Sequence, residues 1–549
     1  MKKTVLLFCA IASTTLAVAQ MSYEEFKRQQ QAEYQQFKDN RQAEFDAYRK
    51  QVNEDYAEFM KKRWEVFQTQ PAEQPKEEKK IAPVIYEEET PATPNATNGR
   101  QTQPIAQSQP QAQSKEQQQN KPEEQPQTQP KEEEERVHEH IDVIKASVGT
   151  FTPQVISVQK DIVVIPKPEP APEPIAPVVA KDDQPLKKVA VSYYGTMMTI
   201  GFPENDNFKV PALNENDLAE CWKKLADPKY DVTVSNAIKV RDSHKLCDWA
   251  YLKLLQALTE KHYGKSNEAV YMQAFLLTQS GYRVRLAFSS KTNKLYLLFA
   301  CKYDIFKMTY YKVDGVRFYA LDSDGAKDLH ICPASVEKEK ALSLQIATDQ
   351  KFDKNLTPKR TLTSKKGVTA TVSVNKNNID FFNNYPSASL AGQPTTRWAA
   401  YANTPLEKNV RDMLYPQLKA KLEGLSEKDA VGLILNWVQT AFVYEYDDKV
   451  WGCDRAFFAA ETLYYPYCDC EDRAILFSRL VRDLVGSKVV LIYYPGHLAA
   501  AVNFKDNVNG DYLLYNNSKY VVCDPTFINA PVGRTMPGMN NEKAKVIVL

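Results

Sequence analysis

A cysteine, a histidine and a carboxylate follow one another near the C-terminus in an order that could support nucleophilic chemistry. Cys470 lies in the string CDCEDRA at 468–474, and a helical pattern of apolar residues begins directly after it. His497 opens an apolar strand pattern, and Asp524 ends another one. A thiol, an imidazole that takes its proton and a third group that orients the imidazole form the usual set of a cysteine nucleophile. The sequence therefore predicts Cys470, His497 and Asp524 as catalytic residues.

The helix after Cys470 should favour the reactive form of the thiol. Apolar residues between Asp472 and Leu484 recur at helical spacing, and Gly486 is a C-terminal cap. Cys470 then stands at a helix start, where free amide groups and the helix dipole favour a thiolate. Glu471 and Asp472 are expected to be first-turn partners of that dipole.

The remaining cysteines have simpler interpretations. Cys468 can be a packing residue, a spare thiol or a resolving cysteine for Cys470. A thiol–disulfide enzyme built on this CxC pair is a further alternative, although the pair lacks a thioredoxin-type context. Nine cysteines in 549 residues are too sparse for a disulfide scaffold. Since no second pair or histidine stands at metal-ligand spacing, we expect neither a metal nor another cofactor.

These residues resemble the core of the transglutaminase-like superfamily, whose fold is that of papain-type cysteine peptidases. The family's nucleophile motif corresponds to residues 470–474, its base to His497 and its orienting carboxylate to Asp524. The similarity covers about residues 405–535, and exported bacterial members look most similar. Cys468 stands where the family motif usually has glycine, which could alter the approach to the nucleophile.

The resemblance implies an α+β fold with a papain-like core and an enzyme that acts on amide bonds of a protein or peptide through a thioester. Resolution of the thioester by water would make the protein a peptidase or amidase. Resolution by an amine would make it a crosslinking transglutaminase. We favour hydrolysis, because nothing in the sequence excludes water or selects lysine.

Residues 186–345 resemble a degenerate second copy of this domain. An offset of 205 positions lays the helix after Cys470 onto the segment that begins at Asn267, and Gly486 onto Gly281. The nucleophile position then falls on Lys265, so this copy would lack the reactive residues. The alternative is an unrelated α+β domain, since a helix, a glycine and a strand recur by chance.

The N-terminal part predicts export and self-association. Residues 1–19 have the basic start, short apolar run and small residues of a signal peptide. Aromatic residues then recur every 11 positions through 20–68, at about 3.67 residues per turn, which predicts a helix with one aromatic face. We expect a coiled coil and a homo-oligomer through residues 22–68; docking on the chain itself and a solvated helix are the alternatives.

The middle of the chain predicts a tether. Region 69–185 is rich in Pro, Gln and Glu and should be disordered, with strands considered only for Ile141 to Ile165. A small β-rich connecting region is expected at 346–404, followed by the catalytic domain at 405–549.

The net charge of +1 gives no reason to expect nucleic acid as a partner. After the signal peptide, no segment approaches the roughly 20 apolar residues of a membrane-spanning helix. We therefore expect an exported protein, periplasmic, outer-surface or secreted, in a Gram-negative-type bacterium. The rival interpretation is a non-catalytic binding or assembly protein of the cell envelope that keeps the fold.

Overall fold

The structure is a computed structural model and contains both helices and β-sheets. It confirms the α+β class predicted from the sequence. The structure describes residues 23–74, 79–88, 144–148, 152–156, 162–178, 185–322, 326–390 and 392–549. The predicted signal peptide at 1–19 lies outside the described residues. Among the helices that are described, none has both the length and the apolar character needed to cross a membrane.

The helices are α1 (Tyr23–Met60), α2 (Glu215–Leu225), α3 (Asp231–Ser243), α4 (Asp248–Tyr263), α5 (Asn267–Gln279), α6 (Lys376–Asn383), α7 (Arg397–Asn403), α8 (Lys408–Leu422), α9 (Glu427–Thr440), α10 (Asp447–Val450), α11 (Ala459–Tyr464) and α12 (Cys470–Leu484). The strands are β1 (Glu65–Gln68), β2 (Val84–Glu88), β3 (Ile144–Val148), β4 (Val155–Ile156), β5 (Ile162–Val164), β6 (Leu186–Tyr193), β7 (Thr196–Pro203), β8 (Val284–Ser289), β9 (Lys294–Ala300), β10 (Tyr303–Ile305), β11 (Tyr310–Val313), β12 (Val316–Ala320), β13 (Asp328–Ile331), β14 (Arg360–Thr363), β15 (Thr369–Val372), β16 (Ala388–Leu390), β17 (Val443–Tyr444), β18 (Tyr467–Cys468), β19 (Lys488–Tyr494), β20 (His497–Asn503), β21 (Tyr512–Tyr515), β22 (Ser518–Cys523), β23 (Phe527–Ile528) and β24 (Lys545–Val548).

The chain divides into two compact units, each assembled from several stretches. The stretches of unit 1 are Met1–Pro75, Lys167–Asn355 and Lys376–Arg397; those of unit 2 are Lys76–Pro166, Leu356–Asn375 and Trp398–Leu549. The predicted connecting region 346–404 is therefore not a separate module. Within unit 2, Thr371 of β15 exchanges two backbone hydrogen bonds with the Gln417 side chain of α8, which incorporates the β14–β15 hairpin.

Unit 2 is built on a sheet with the order β4-β21-β22-β20-β19-β24-β5. Its central hairpin, β19–β20, turns through Pro495 and Gly496, where Gly496 has a φ of +79°. One face of the sheet carries a buried apolar cluster that includes Ile492, Ala499 and Val522. Helix α12 packs against β19 and β20 and also contacts α9 and α11. The helix that Cys470 opens is thus packed on the strand that His497 opens.

The sheet of unit 1 has a similar strand order. Its sheet has the order β11-β12-β9-β8-β13-β1, and helix α5, just before β8 in the chain, packs against β8 and β9. In both units a helix is followed by a central hairpin, then by a second hairpin on one side and a late strand on the other. Reading across the two sheets, β11, β12, β9, β8 and β13 of unit 1 correspond in order to β21, β22, β20, β19 and β24 of unit 2.

The aromatic repeat does not continue on one helix to residue 68, as the sequence predicted. Helix α1 ends at Met60, and the chain then pairs as β1 with β13. The indole of Trp64 is buried and donates to the carbonyl of Met60 at 2.9 Å, so the chain turns there because Trp64 folds back on the helix end.

The two ends of α1 have different surroundings. Near its C-terminus, Tyr56 packs on Trp222 with ring centroids 4.1 Å apart, and Asn53 accepts a hydrogen bond from the Trp222 indole at 3.0 Å. This part of the helix docks on unit 1 itself. Toward its N-terminus, Tyr34 and Phe37 remain 61% and 59% exposed, so the described residues leave the aromatic face there uncovered.

Part of region 69–185 is ordered, contrary to the prediction of a disordered tether. Strand β2 pairs in parallel with β23 and β3, while β4 and β5 extend the two edges of the unit 2 sheet. Short apolar runs such as Val84-Ile85 and Ile162-Val163-Val164 satisfy strand edges that would otherwise be open. We refer to residues 79–88 as the covering segment. Residues 89–143 lie outside the described residues.

Candidate active site

Cys470 is the first residue of α12, at the helix start that the sequence predicted. The residue is 1% exposed. Asp472 accepts the backbone N–H groups of Asp469, at 3.2 Å, and of Phe457, at 2.8 Å, which fixes the entry into the helix. The Cys470 thiol donates to Glu471 Oε2 over 3.1 Å. The nucleophile candidate is therefore buried, and a carboxylate accepts its hydrogen bond.

The surroundings favour the thiol over the thiolate, unlike the prediction from the helix start. Burial, followed by the carboxylates of Glu471 and Asp469, raises the pKa of Cys470 well above its ordinary value, while Lys80 acts in the opposite direction. The helix dipole is a partial charge, whereas two neighbouring carboxylates carry full ones. The neighbouring carboxylates and burial thus outweigh the helix start at Cys470.

His497 and Asp524 form the pair that the sequence predicted. Nε2 of His497 lies 2.8 Å from Oδ2 of Asp524, and both side chains are buried, at 0% and 1% exposure. The other carboxylate oxygen accepts the backbone N–H groups of Thr526, at 2.9 Å, and Phe527, at 3.3 Å. The carboxylate is thus fixed by its own loop, and it holds the imidazole through one nitrogen.

The imidazole and the thiol are not hydrogen-bonded to each other. Among the described residues, Nδ1 of His497 is buried and has no hydrogen-bond partner. Two consecutive residues of the covering segment link the surroundings of both groups: Lys80 contacts Glu471, and the N–H of Ile81 donates to the carbonyl of Gly496 at 3.0 Å. The residue after Cys470 and the residue before His497 therefore lie close to the same short stretch of chain.

Two buried side chains that sequence reasoning missed fix the loop that carries Asp524. Nε2 of Gln439 lies within hydrogen-bonding distance of the carbonyls of Asp524 (3.0 Å), Phe527 (2.7 Å) and Ala530 (3.1 Å). Arg473 donates to the Gln439 carbonyl at 3.1 Å and joins α12 to the end of α9. The position of Arg473 within the CDCEDRA string was a usable signal; Gln439 gave none.

Four carboxylates surround the ammonium group of Lys80 beside Cys470. Nζ lies 2.7 Å from Asp469, 3.2 Å from Asp454 and 4.0 Å from Asp447, and it also contacts Glu471. We call Asp447, Asp454, Asp469 and Glu471 the carboxylate pocket. Although burial alone would lower it, Asp469 and Glu471 raise the pKa of Lys80 well above its ordinary value. The ammonium is therefore firmly charged.

Some of these groups could also hold a metal ion. Three sets of ligand atoms each lie within 4.8 Å of one another: Asp469, Cys470 and Glu471; Asp447, Asp469 and Asp472; and Asp447, Asp454 and Glu471. The sequence predicted no metal, because these residues are not at a recognisable ligand spacing. Since the Lys80 ammonium already contacts members of each set, the positive charge at this position comes from the chain itself.

The other cysteines near the site fit the packing interpretation. Cys468 is buried and its sulfur lies 3.7 Å from the Val443 carbonyl; burial is the main cause that raises its pKa to about 11. Cys523 is likewise buried, and burial raises its pKa. Cys453 is exposed. The cysteines of the described residues are all free thiols.

Unit 1 contains a histidine–carboxylate pair of its own. Nε2 of His262 lies 2.8 Å from Asp206, which also accepts from the hydroxyls of Tyr263 at 2.5 Å and Tyr230 at 2.7 Å. Phe202 stacks on the imidazole with ring centroids 4.0 Å apart. No cysteine belongs to this described network. It differs from the His497 pair, whose carboxylate accepts, from the described part of the chain, only backbone amides besides the imidazole.

Comparisons with known proteins add no relative from which the role of this site could be inferred. No family model matches the chain, and neither a curated protein nor a solved structure matches it.

Proposed function

We propose that this protein is an exported, transglutaminase-like cysteine enzyme that acts on amide bonds of a protein or peptide, with hydrolysis favoured over crosslinking. Cys470 is the nucleophile, His497 the general base and acid, and Asp524 the residue that orients His497. The papain-like core of unit 2 and a degenerate copy in unit 1 belong to the same proposal. The repeated strand order supports the second copy, in which Lys265 precedes α5 where Cys470 opens α12.

The pairing of His497 with Asp524 is the observation that carries the proposal. Because Nε2 faces Asp524 at 2.8 Å, the ring has a defined tautomer in which Nδ1 is the nitrogen left to accept a proton. A buried imidazole with one nitrogen bound to a carboxylate and the other without a partner fits a base that awaits a proton donor. Helix α12 brings a thiol to the neighbourhood of the same hairpin.

The proposed reaction begins when Cys470 loses its proton to Nδ1 of His497. The thiolate attacks the amide carbonyl carbon, and Asp524 stabilises the imidazolium that has formed. The tetrahedral intermediate then collapses: the C–N bond breaks, and His497 returns the proton to the leaving amine. Water, deprotonated by His497, attacks the thioester, and its collapse releases a carboxylic acid and restores the thiol.

The start of α12 suits the charge that develops on the carbonyl oxygen. The backbone N–H groups of the first helical turn have no acceptor within the helix. The Cys470 amide, as the first of them, is our candidate for one oxyanion donor, and a second donor remains unassigned.

Selective alkylation tests this function. In the Lys80→Met background and with a limiting amount of iodoacetamide, we expect Cys470 to be labelled at least about tenfold faster than the other free thiols of the chain. Cys453, which is exposed, is replaced by serine to remove background labelling. His497→Ala should abolish the difference, whereas His330→Ala, in unit 1, should preserve it. Equal and slow labelling of Cys470 in all three proteins would contradict the proposal.

The rival function is a non-catalytic binding module of the cell envelope. The observation that favours it is the thiol of Cys470, which donates to Glu471 and not to His497. The exposed aromatic face of α1 would then serve assembly. This function predicts that mass spectrometry of the native protein finds no substrate-derived adduct on Cys470, and that Cys470→Ala leaves partner binding unchanged.

A further inference from the structure

Lys80 makes contacts that an ordinary surface lysine does not make. Its side chain is only 16% exposed, and two of the four carboxylates around it, Asp469 and Glu471, are 0% and 1% exposed. Charged groups are rarely taken out of water unless they are paired. The carboxylate pocket therefore holds a cation in a position that directly adjoins the nucleophile, since Glu471 accepts the Cys470 thiol.

The covering segment is fixed within unit 2 by contacts that follow Lys80 in the chain. Ile81 donates to the Gly496 carbonyl, next to His497. Val84 is buried in a cluster with Phe527 and Met536, and it pairs with Phe527 in the parallel β2–β23 ladder just after Asp524. The segment thus contacts residues near each of the three proposed catalytic residues, with the Lys80 side chain placed beside Glu471, the partner of the thiol.

We propose that the carboxylate pocket is a binding subsite for the side chain of a substrate lysine, and that Lys80 occupies this subsite as an internal mimic. The inference rests on the proposed function, because a subsite beside Cys470 concerns a substrate only if that thiol reacts. It adds a substrate class: peptides that place a lysine next to the bond under attack. It also makes the covering segment a self-inhibitory element.

The geometry selects a lysine over an arginine. The oxygens of Asp469, Asp454 and Glu471 converge on one nitrogen from different side chains. An ammonium group is a compact charge with three donors that can point in these directions, whereas a guanidinium presents a planar fork suited to one carboxylate. The side chain of Asp454 is 13% exposed, more than those of Asp469 and Glu471, so the pocket opens on its side.

The Lys80 ammonium does not satisfy every acceptor of the carboxylate pocket. One oxygen of Asp469 is buried and lacks a hydrogen-bond partner among the described residues. A pocket with these properties should bind an ammonium group when its own lysine is removed.

The test measures binding without catalysis. Lys80→Met keeps most of the aliphatic stem but removes the charge, and it is combined with Cys470→Ala. The probes are Nα-acetyl-lysine amide and its uncharged isostere Nα-acetyl-norleucine amide, titrated into the full-length protein by calorimetry. We expect the lysine probe to bind at least about tenfold more tightly than the norleucine probe. In the parent with Lys80 intact, we expect this preference to disappear.

Two further variants control the result. Lys79→Met removes the exposed neighbouring lysine and should leave the pocket closed to the probe. Asp454→Asn, added to Lys80→Met, removes one carboxylate at the pocket entrance and should lower the affinity for the lysine probe several-fold. A cooperative unfolding transition in each variant shows that the protein is folded; if Lys80→Met is not, Lys80→Gln replaces it.

Three results would overturn the inference. Equal binding of both probes would show that the pocket does not recognise an ammonium group. Tight binding of Ca²⁺ to the Lys80→Met protein, without a preference between the probes, would make the carboxylates a metal site. An unchanged affinity in Asp454→Asn would place the probe elsewhere. None of these results depends on alkylation of Cys470, so failure of the inference can be told apart from failure of the proposed function.

Discussion

The carboxylate of Asp524 combines two tasks in a space that excludes water. One oxygen holds the imidazole of His497, and the other is bound by the backbone amides that follow it. An asparagine at this position could keep the amide contacts through its carbonyl. Its NH₂ group, however, would donate to Nε2 and force the other tautomer, in which Nδ1 carries a proton and cannot act as a base.

Asp524→Asn should therefore lower the His497-dependent alkylation rate of Cys470 by about tenfold or more with little loss of stability. The measurement is the rate of iodoacetamide labelling alongside urea unfolding, both in the Lys80→Met background. Asp511→Asn is the matched control, because Asp511 is also buried and accepts backbone amides, from Gln154 and Thr535, without contacting a histidine. Equal rates in the two variants would argue against the orienting role.

At this scale the sequence was sufficient for local chemistry and insufficient for the pocket. The pairing of His497 with Asp524 could be predicted because strand ends place such residues together, and the helix start at Cys470 because apolar periodicity defines it. The contact between Lys80 and Asp469 joins residues 389 positions apart. No periodicity or spacing marks a pairing between a lysine in a Pro- and Glu-rich stretch and a distant helix start.

At the scale of elements, the hairpin turn at Gly496 is the point where the covering segment meets the sheet. A Cβ at Gly496 would lie 2.5 Å from the carbonyl oxygen of Lys79, and the residue has a φ of +79°. Gly452, with a φ of +73°, has nothing within 4 Å of the same position. The two glycines thus have similar backbone conformations, but only Gly496 lies against the covering segment.

Both Gly496→Ala and Gly452→Ala should cost about 1 kcal/mol from the positive φ alone. Gly496→Ala should cost more, and it should also release the hydrogen bond from Ile81 to residue 496. Hydrogen exchange of the Ile81 amide, measured with urea unfolding, separates the two effects. Faster exchange only in Gly496→Ala is the expected result. Equal costs with slow exchange in both would mean that the covering segment does not rest on this turn.

Helix α11 contains a carboxyl group that should make stability depend on pH. Burial raises the pKa of Glu461 from 4.5 to about 7, although Arg455 contacts it at 2.5 Å and acts in the opposite direction. The folded protein therefore holds this proton more tightly than the unfolded chain. Below pH 4.5 both states are protonated; as the pH rises toward 7 only the unfolded chain ionises, so stability should fall.

Glu461→Gln should flatten this fall, which amounts to about 3 kcal/mol between pH 4.5 and 7. Urea unfolding at several pH values measures it, and Glu423→Gln, at an exposed position after α8, is the control that should leave the slope unchanged. A slope that persists in Glu461→Gln would assign the dependence to other carboxyl groups, such as Asp447.

The strands of region 69–185 were not predicted, because local sequence does not indicate them. Residues 84–88 are flanked by Pro, Glu and Lys, and local composition argues against a folded strand. Their order comes from non-local pairing with β23 and from burial of Val84, which are tertiary effects. By contrast, the helix Glu215–Leu225 depends on local features, because Asn214 caps it and its buried apolar residues recur at helical spacing.

At the scale of the whole molecule, the uncovered part of α1 is the surface best suited to self-association. Tyr34, Phe37 and Tyr48 are each more than half exposed, while Tyr56 further along is buried on the chain's own unit 1. The predicted homo-oligomer would therefore form through the N-terminal part of the helix and not through the whole of residues 22–68.

Tyr34→Glu combined with Phe37→Glu should convert such an oligomer to monomers, because it places two charges on the aromatic face. Light scattering of the full chain measures the mass. Gln36→Glu combined with Asn40→Glu adds the same charge at other positions of this helix and should not change the mass. A parent protein that is already monomeric at high concentration would contradict the prediction.

Because Lys80 belongs to the same polypeptide as the pocket it fills, its effective concentration there is on the order of millimolar or higher, whatever the amount of protein. A single lysine side chain in solution would compete poorly against such a tethered ligand. A peptide that also supplied an extended backbone to pair with β23 would replace the whole tethered stretch and not just its charged tip. The length of a peptide substrate, as much as its charge, would then determine whether it can displace the covering segment.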